Sequence, residues 1–158
     1  MVDVTYLDPP YNQHPYGSNY FMLNTIVNNK ITGNLSKVSG IPDNWNRSNY
    51  NYSSSAYDSM KHLLIKIKSK YIILSYNDEG IISKQKLIQL FNELDLFFQL
   101  KEIKYNTYKG SRNLKNRNKD VTEYMWILSP LYDIIEPYDI TPLVQIWFVI
   151  INFYYLFI

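Results

Sequence analysis

Apolar residues along this chain occur in short clusters, separated by polar stretches of very different length. Some clusters are nearly continuous runs of β-branched and aromatic residues, typical of strands, whereas others repeat every three or four residues, as on one face of a helix. The two kinds of cluster alternate, and this alternation predicts an α/β fold. The predicted elements are strands at 4–7, 71–76, about 98–108 and about 121–128, and helices at 19–27, from 54 or 55 to about 68, and after 83.

Two of these helices have recognisable starts. Ser54 or Ser55 could cap the second helix, whose apolar positions 60, 63, 64 and 67 share one side, while its lysines form the wet side. Ser83 is a good cap for the third, which carries an apolar stripe from Leu87 to Leu94. The stretches 12–18 and 30–55 are polar and predicted to be irregular. A loop as long as 30–55 within a compact domain is usually functional or mobile.

The strand at 71–76 reads Tyr-Ile-Ile-Leu-Ser-Tyr, a nearly apolar run that predicts a strand covered on both faces. The turn residues 77–80 follow it. If this strand is parallel to the strand at 4–7, the carboxyl ends of both lie at one crevice of the sheet. The residues after Leu7 and the turn at 77–80 are therefore expected to be neighbours.

The strand at 4–7 ends abruptly in Asp8-Pro9-Pro10-Tyr11. The two prolines have no amide hydrogen, and each one excludes the helical region for the residue before it. The result is a stiff corner that presents a carboxylate, backbone carbonyls and an aromatic ring. These groups accept hydrogen bonds and stack on flat rings, which suits a heterocycle that bears an amino group.

Around this corner the chain resembles the adenine-specific DNA methyltransferases of the DNA adenine methylase type, whose motif is Asp-Pro-Pro-Tyr. The resemblance spans about 2–128 and rests on the segments 6–12, 16–20, 23–26, 71–77 and 123–127. It implies an incomplete Rossmann-like methyltransferase fold, namely the second half of the sheet, ending in an antiparallel hairpin. The absence of cysteine agrees, because it excludes enzymes that attack the cytosine ring through a thiolate, and with them disulfides and zinc–thiolate sites.

The resemblance also assigns roles. Asp8, Pro9, Pro10 and Tyr11 are the implied catalytic residues: the Asp8 carboxylate and the Pro9 carbonyl accept the amino hydrogens of a flipped adenine, and Tyr11 stacks on its ring. The nitrogen then attacks the methyl group of S-adenosylmethionine, the implied cofactor; no metal is implied. Asp8 and Tyr20 are implied at the cofactor, and Asn12 at the DNA. Asn12, Tyr16, Asn19 and Tyr20 lie where the family shapes the base pocket, although a plain solvent loop is an alternative for each.

A basic stretch at 109–119 separates the last two predicted strands. Arg112, Lys115, Arg117 and Lys119 could neutralise phosphates of double-stranded DNA, and a solvated hairpin loop is an equal alternative. The net charge of +2 is too small to indicate nucleic-acid binding by itself. His14 is interpreted as a loop residue and His62 as a surface residue. Trp45 and Trp126 are interpreted as packing residues.

The glycine-rich cofactor turn of the family is missing, since the five glycines at 17, 33, 40, 80 and 110 are too far apart to form it. The chain of 158 residues, 46% of them hydrophobic, therefore reads as one domain, the C-terminal catalytic half at 1–129, in need of an N-terminal half that supplies the cofactor site. We expect it in the cytoplasm, since no secretory signal opens the chain. An inactive gene fragment and a non-catalytic nucleic-acid-binding module using 109–119 remain alternatives.

The end of the chain differs in character, because 143–158 has no charged residue. The hydrophobic tail at 130–158 has three interpretations: an aberrant end, a packed final element, or a membrane segment. The last is the least favoured, since the run is slightly shorter than the roughly twenty residues that a membrane helix needs and lacks basic flanks.

Overall fold

A computed structural model describes residues 2–31, 33–43, 46–106 and 120–130 of the chain, and its four strands form one mixed sheet flanked by helices. The predicted α/β class is confirmed, as is the partial methyltransferase architecture. The elements are β1 (Val2–Leu7), α1 (Tyr16–Asn19), α2 (Phe21–Asn28), a 3-10 helix (Asn49–Asn51), α3 (Ala56–Lys66), β2 (Ser69–Asn77), α4 (Lys84–Glu93), β3 (Leu96–Asn106) and β4 (Asp120–Pro130).

The strand order is β1-β2-β4-β3. β1 runs parallel to β2, with Leu7 opposite Leu74, so the carboxyl ends of both strands meet at one edge as predicted. β4 is antiparallel to β2 and to β3, with Glu123 opposite Asn77. The antiparallel pair at the end of the sheet is therefore confirmed.

The core lies between one face of the sheet and the helices α3 and α4. Both helices bury the apolar stripe that their sequence predicts, through Met60 and Leu64 on α3 and through Leu87, Leu90 and Phe91 on α4. Trp126 of β4 is fully buried, and its ring centroid lies 5.2 Å from that of Phe91. Trp126 is thus a packing residue, as predicted, and His62 is exposed, as predicted.

β2 is buried on both faces, because Ile73 on the face opposite the core is buried along with Ile72 and Leu74. This confirms the interpretation of the apolar run at 71–76. The described residues of the long stretch after α2 are irregular, as predicted, except for an isolated bridge between Leu35 and Pro42 and the short 3-10 helix.

The helix boundaries differ from the predictions in two places. Residues 16–18 are helical rather than irregular, because Pro15 stands at the N-terminal cap of α1, where its missing N–H costs nothing. α3 ends at Lys66 rather than near 68, since Ile67 is already extended (ψ 132°) on the way into β2.

The two predicted caps also had different outcomes. Ser83 caps α4 by accepting the Lys86 N–H at 3.3 Å, as predicted. Ser55 occupies the cap position of α3 but makes no side-chain cap bond, because its hydroxyl donates to the Asn49 carbonyl at 2.8 Å.

The predictions for 109–119, including Arg112, Lys115, Arg117 and Lys119, fall outside the described residues, as do those for Trp45 and for the tail beyond Pro130. Within the described ranges, no helix is long and apolar enough to cross a membrane.

Candidate active site

The corner Asp8-Pro9-Pro10-Tyr11 leaves the carboxyl end of β1 as irregular chain. Pro9 is buried, Pro10 and Tyr11 are half-buried, and Asp8 is exposed. The Ile81 N–H, in the loop that follows β2, donates to the Tyr11 carbonyl at 2.7 Å. The parallel pair of strands thus brings the corner and the loop after β2 together, as the sequence predicts.

The Asp8 carboxylate is reachable by solvent, and nothing in the described ranges forms an ion pair or a hydrogen bond with it. Burial nevertheless raises the pKa of Asp8 above its ordinary value of 3.8. The two observations agree if water reaches the carboxylate from one side while protein atoms enclose its other sides. Asp8 is therefore an accessible, partly desolvated hydrogen-bond acceptor.

The ring of Tyr11 is held by Tyr76, the penultimate residue of β2. Their ring centroids lie 5.9 Å apart in an edge-to-face arrangement. Tyr76 is itself fixed: it is fully buried, and its hydroxyl oxygen accepts the Ile82 N–H at 3.1 Å. Gly80 lies against the same ring so closely that a Cβ atom there would overlap it.

Tyr76 therefore positions Tyr11, a role that the sequence interpretation missed. The sequence feature that could have indicated this role is a tyrosine near the end of a buried strand, followed at once by a turn that contains glycine.

The segment after the corner is tied down by Asn12 and Asn51. The Asn12 side-chain oxygen accepts the His14 N–H at 2.9 Å, and the Asn12 carbonyl accepts the side-chain amide of Asn51 at 2.8 Å. Asn51 is buried, and its own side-chain oxygen accepts the Ser48 N–H at 3.1 Å. Asn51 was missed from the sequence, because it lies 39 positions from its partner. His14 is an exposed loop residue, as predicted.

Polar side chains form a row on the sheet face opposite the core. The Asn77 side-chain amide donates to Glu123 at 3.3 Å, and both residues are buried. Burial raises the pKa of Tyr6, and the negative charge of Asp8 raises it further, whereas a hydrogen bond with Ser75 lowers it. The Asp8 charge thus affects the ionisation of Tyr6 on this face of the sheet. The sequence interpretation gave the polar residues of this face no role.

Tyr16, Asn19 and Tyr20 are exposed on the short helical segment beyond the corner. The ring centroids of the two tyrosines lie 5.7 Å apart. A cavity of about 660 Å³ lies between this segment and the irregular stretch that follows α2, and neither Asp8 nor Tyr11 lines it. Its lining includes His14, Pro15, Ser18, Asp43 and Arg47.

The residues present do not make a complete site for S-adenosylmethionine. The sequence has no glycine-rich turn, and the described sheet has a single parallel pair of strands. Among the described residues, no group of three or more His, Asp or Glu side chains could hold a metal ion.

Comparison with known proteins decides the family. Residues 1–90, more than half of the chain, match the family model for the D12 class N6 adenine-specific DNA methyltransferases. The chain belongs to this family. The resemblance stated from the sequence is thereby confirmed, and the D12 match covers the corner, α2 and β2.

Named methylases are similar to this D12 chain over most of its length. Modification methylase StsI of Streptococcus sanguinis is 36% identical over 80% of the chain and 19% of StsI. M.NlaIII of Neisseria lactamica is 32% identical over 82% of the chain and 39% of that enzyme. M.CviAII of Paramecium bursaria Chlorella virus 1 is 28% identical over 80% of the chain and 37% of that enzyme. The matches thus span from 19% to 39% of the length of these relatives. No solved structure matches it.

Proposed function

We propose that this chain is the catalytic half of an adenine-specific DNA methyltransferase of a restriction-modification system, acting on double-stranded DNA in the cytoplasm. The observation that carries the proposal is the Asp8 carboxylate, which is accessible and partly desolvated at the carboxyl end of a parallel strand pair. The family match and the similarity to type II methylases support the choice of reaction.

The proposed chemistry starts from the low nucleophilicity of the adenine amino group, whose lone pair is delocalised into the ring. Asp8 and the Pro9 carbonyl accept the two amino hydrogens of a flipped adenine, which draws the nitrogen toward a tetrahedral geometry. Positive charge develops on that nitrogen during transfer, so a fixed carboxylate acts where the charge appears. The raised pKa of Asp8 does not prevent this role, provided that the pH lies above it.

Tyr11 stacks on the flipped base in this proposal, an interaction worth about 1–3 kcal/mol. The edge contact with Tyr76 and the hydrogen bond from Ile81 to the Tyr11 carbonyl support this role, because both restrict Tyr11 before the base arrives. Pro10 contributes stiffness between the acceptor and the ring. Asn12, through the turn that it forms with His14, sets the path of the chain away from the base.

The cofactor site is completed by a separate N-terminal half, with Asp8 and Tyr20 at its edge. This step of the proposal is supported by the lengths of the relatives, since 37–39% of M.CviAII and M.NlaIII matches this chain. It is also supported by the missing glycine-rich turn. The bound cofactor would supply the methyl group. Arg112, Lys115, Arg117 and Lys119 are proposed to contact DNA phosphates.

The test is methyl transfer by a reconstituted pair. The chain is co-expressed with the part of M.NlaIII that lies outside its match to this chain, and transfer of tritiated methyl groups to DNA is measured. We expect Asp8→Ala to lower the rate by about 10²–10³-fold, the usual cost of removing one group that stabilises developing charge. Asp3→Ala is the matched control, because Asp3 lies on β1, the strand that precedes Asp8, and its carboxylate is paired with Lys70 at 2.9 Å.

Full activity of the Asp8→Ala pair would overturn the role of Asp8. No transfer by any pair would favour the inactive fragment. Salt-sensitive DNA binding that survives Asp8→Ala but falls on neutralising Arg112, Lys115, Arg117 and Lys119 would favour the binding module.

A further inference from the structure

We infer that the buried hydrogen bond between Asn77 and Glu123 positions Tyr11 for methyl transfer, because it fixes the start of the loop that holds the catalytic corner. The inference rests on the proposed function, in which Tyr11 stacks on the flipped base. It adds Asn77 and Glu123 as positioning residues, which act through the loop and do not touch the base. We call residues 78–82, which follow β2, the β2 loop.

The pair joins two neighbouring strands at the edge of the sheet where β2 ends. Asn77 is the last residue of β2, and Glu123 lies opposite it on β4. The Asn77 side-chain amide donates to Oε1 of Glu123 at 3.3 Å, and the two residues are 4% and 5% exposed. A hydrogen bond to a carboxylate is stronger than one between neutral groups, so the pair holds the two strands together at this point.

The orientation of the Asn77 amide follows from the chemistry of its partner. An ionised carboxylate only accepts hydrogen bonds, so Asn77 turns its nitrogen toward Glu123. The Asn77 side-chain oxygen then points elsewhere, and it is buried without a hydrogen-bond partner among the described residues. An unpaired buried oxygen lowers stability. Such a cost beside a candidate active site indicates a role in the site rather than in folding.

The start of the β2 loop is tied to β4 and to the strand end. The Asp78 N–H donates to the Thr122 carbonyl at 3.0 Å, and the Gly80 N–H donates to the Asn77 carbonyl at 3.2 Å. The first residues of the loop are therefore placed by one side-chain bond and one backbone bond to β4.

The far end of the β2 loop holds the corner. The Ile81 N–H donates to the Tyr11 carbonyl at 2.7 Å. The Ile82 N–H donates to the hydroxyl of Tyr76, whose ring packs edge-to-face with that of Tyr11. Residues 78–80 alone separate Asn77 from Ile81, so a shift at the start of the loop moves its far end. A misplacement of this kind far from the reacting atoms can slow a reaction.

The charge of Glu123 reaches a side chain that also receives the charge of Asp8. Burial raises the pKa of Tyr6 on β1, and the negative charges of Asp8 and Glu123 raise it further. The Asn77–Glu123 pair therefore lies on the same side of the sheet edge as the proposed acceptor of the adenine amino group.

The experiment first measures positioning in the full chain by itself. Exchange of the Ile81 amide hydrogen with deuterium oxide, followed by NMR, reports how often its bond to Tyr11 opens, and the amide of Leu90 in α4 reports unfolding of the whole chain. Asn77→Leu removes the donor. We expect it to speed exchange at Ile81 about tenfold relative to Leu90, since a hydrogen bond to a charged group is lost.

Reversing the two groups provides the rescue. Glu123→Gln alone keeps an acceptor oxygen for the Asn77 amide, so it should leave exchange at Ile81 unchanged. Asn77→Asp with Glu123→Gln reverses the hydrogen bond, because the new amide at position 123 donates to the new carboxylate at position 77. This reversed pair should retain the slow exchange at Ile81.

The matched control lies in the irregular stretch after α2. The Asn34 side-chain amide donates to Asp43 at 3.2 Å, and both residues are exposed. Asn34→Leu removes the same kind of bond outside the β2 loop and should leave exchange at Ile81 unchanged. If Asn77→Leu does not fold, Asn77→Leu with Glu123→Gln also removes the buried charge that has lost its donor, and the same acceleration is expected from it.

Catalysis is measured with the chain co-expressed with the part of M.NlaIII that lies outside its match. Asn77→Leu should lower kcat for the transfer of tritiated methyl groups about ten- to a hundredfold, and the reversed pair should restore it. Fast exchange at Ile81 with an unchanged kcat would overturn the link between the β2 loop and catalysis.

The exchange measurement separates this inference from the proposed function, because it needs no methyl transfer. Faster exchange at Ile81 in Asn77→Leu, reversed in the reversed pair, supports the positioning of Tyr11. If no co-expressed pair then transfers methyl groups, the proposed function alone is contradicted. Equal acceleration at Ile81 and Leu90, or unchanged exchange at both, overturns the inference and leaves the proposed function standing.

Discussion

Two helices of this chain, α4 and α2, have similar lengths and very different surroundings. α4 is capped by Ser83 and buries Leu87, Leu90 and Phe91 against the sheet. α2 has no side-chain cap, ends at Asn29 in the left-handed conformation (φ 46°), and buries none of its residues. The difference teaches that the chain has two parts: one packs its apolar side chains into a core, and the other leaves them exposed.

The same division runs through the sheet. β2 and β4 are buried along most of their length, whereas β1 is exposed at three of its apolar positions. Asp8 lies where the two parts join: it follows the last residue of β1, and the carbonyls of Tyr11 and Asn12 accept hydrogen bonds from Ile81 and Asn51. The proposed catalytic corner is thus tied by hydrogen bonds to the loop after β2 and to the 3-10 helix.

The largest expected effect compares the same substitution in both helices. Leu90 on α4 is fully buried and Leu23 on α2 is 56% exposed. Leu90→Ala should lower the free energy of unfolding by about 2–5 kcal/mol, because it leaves a cavity in the core. Leu23→Ala should change it by no more than about 0.5 kcal/mol. Urea unfolding followed by tryptophan fluorescence measures both, and similar losses for the two variants would contradict the division into two parts.

A smaller effect on the free energy of unfolding is expected at Gly80, which lies where the packed and the exposed parts of the chain meet. A Cβ atom there would come within 2.9 Å of Cδ1 of Tyr76 and still closer to Cε1. Because this ring is buried and its hydroxyl is bonded to Ile82, Gly80→Ala should cost about 1–3 kcal/mol of unfolding free energy through overpacking.

The Gly80 prediction has a direct control in a double-mutant cycle. In a Tyr76→Leu background the ring that the Cβ atom would meet is gone, so Gly80→Ala should cost less there. An equal cost in both backgrounds would mean that Tyr76 is not the obstacle, and would weaken the argument that Tyr76 positions Tyr11.

Most of the elements could be predicted from the sequence, because their patterns are local. The alternating runs located all four strands, and the apolar spacing gave the buried sides of α3 and α4. The errors concern the short helix α1 and the start of α3. α1 was missed because one helical turn has too few residues to show a periodic pattern. Ser55 occupies the cap position of α3, but its side chain makes no cap hydrogen bond.

The site could be predicted only in part. Residues 8–11 stand out because two adjacent prolines after a strand are unusual, and the resemblance assigned their roles. Tyr76 and Asn51 could not be found in the same way, since their contacts with Tyr11 and Asn12 depend on how separate elements pack. The exposure of α2 was also unpredictable, because an apolar cluster in a sequence does not say whether its partner lies in the same chain.

The smallest expected effect compares two carboxylates, that of Asp3 on β1 and that of Asp8 in the corner after β1. Burial raises the pKa of Asp8 above 3.8, whereas the hydrogen bond and charge of Lys70 lower the pKa of Asp3 below 3.8. Between pH 3.8 and the raised pKa of Asp8, this carboxyl binds more protons in the folded chain than in the unfolded chain. Its contribution to the free energy of unfolding therefore decreases as the pH rises through this range. Asp3 acts oppositely: its contribution is present above pH 3.8 and is lost as the pH falls through its lowered pKa.

Carboxyl carbon chemical shifts measured by NMR during a pH titration should therefore show that Asp3 ionises at a lower pH than Asp8. Lys70→Met is the control, because it removes the partner of Asp3 at 2.9 Å and leaves the surroundings of Asp8 unchanged. It should move the pKa of Asp3 up toward 3.8 and leave that of Asp8 in place. An Asp8 that titrates at or below 3.8 would mean that water surrounds it on all sides, and the corner would then belong with the exposed part of the chain rather than at the boundary.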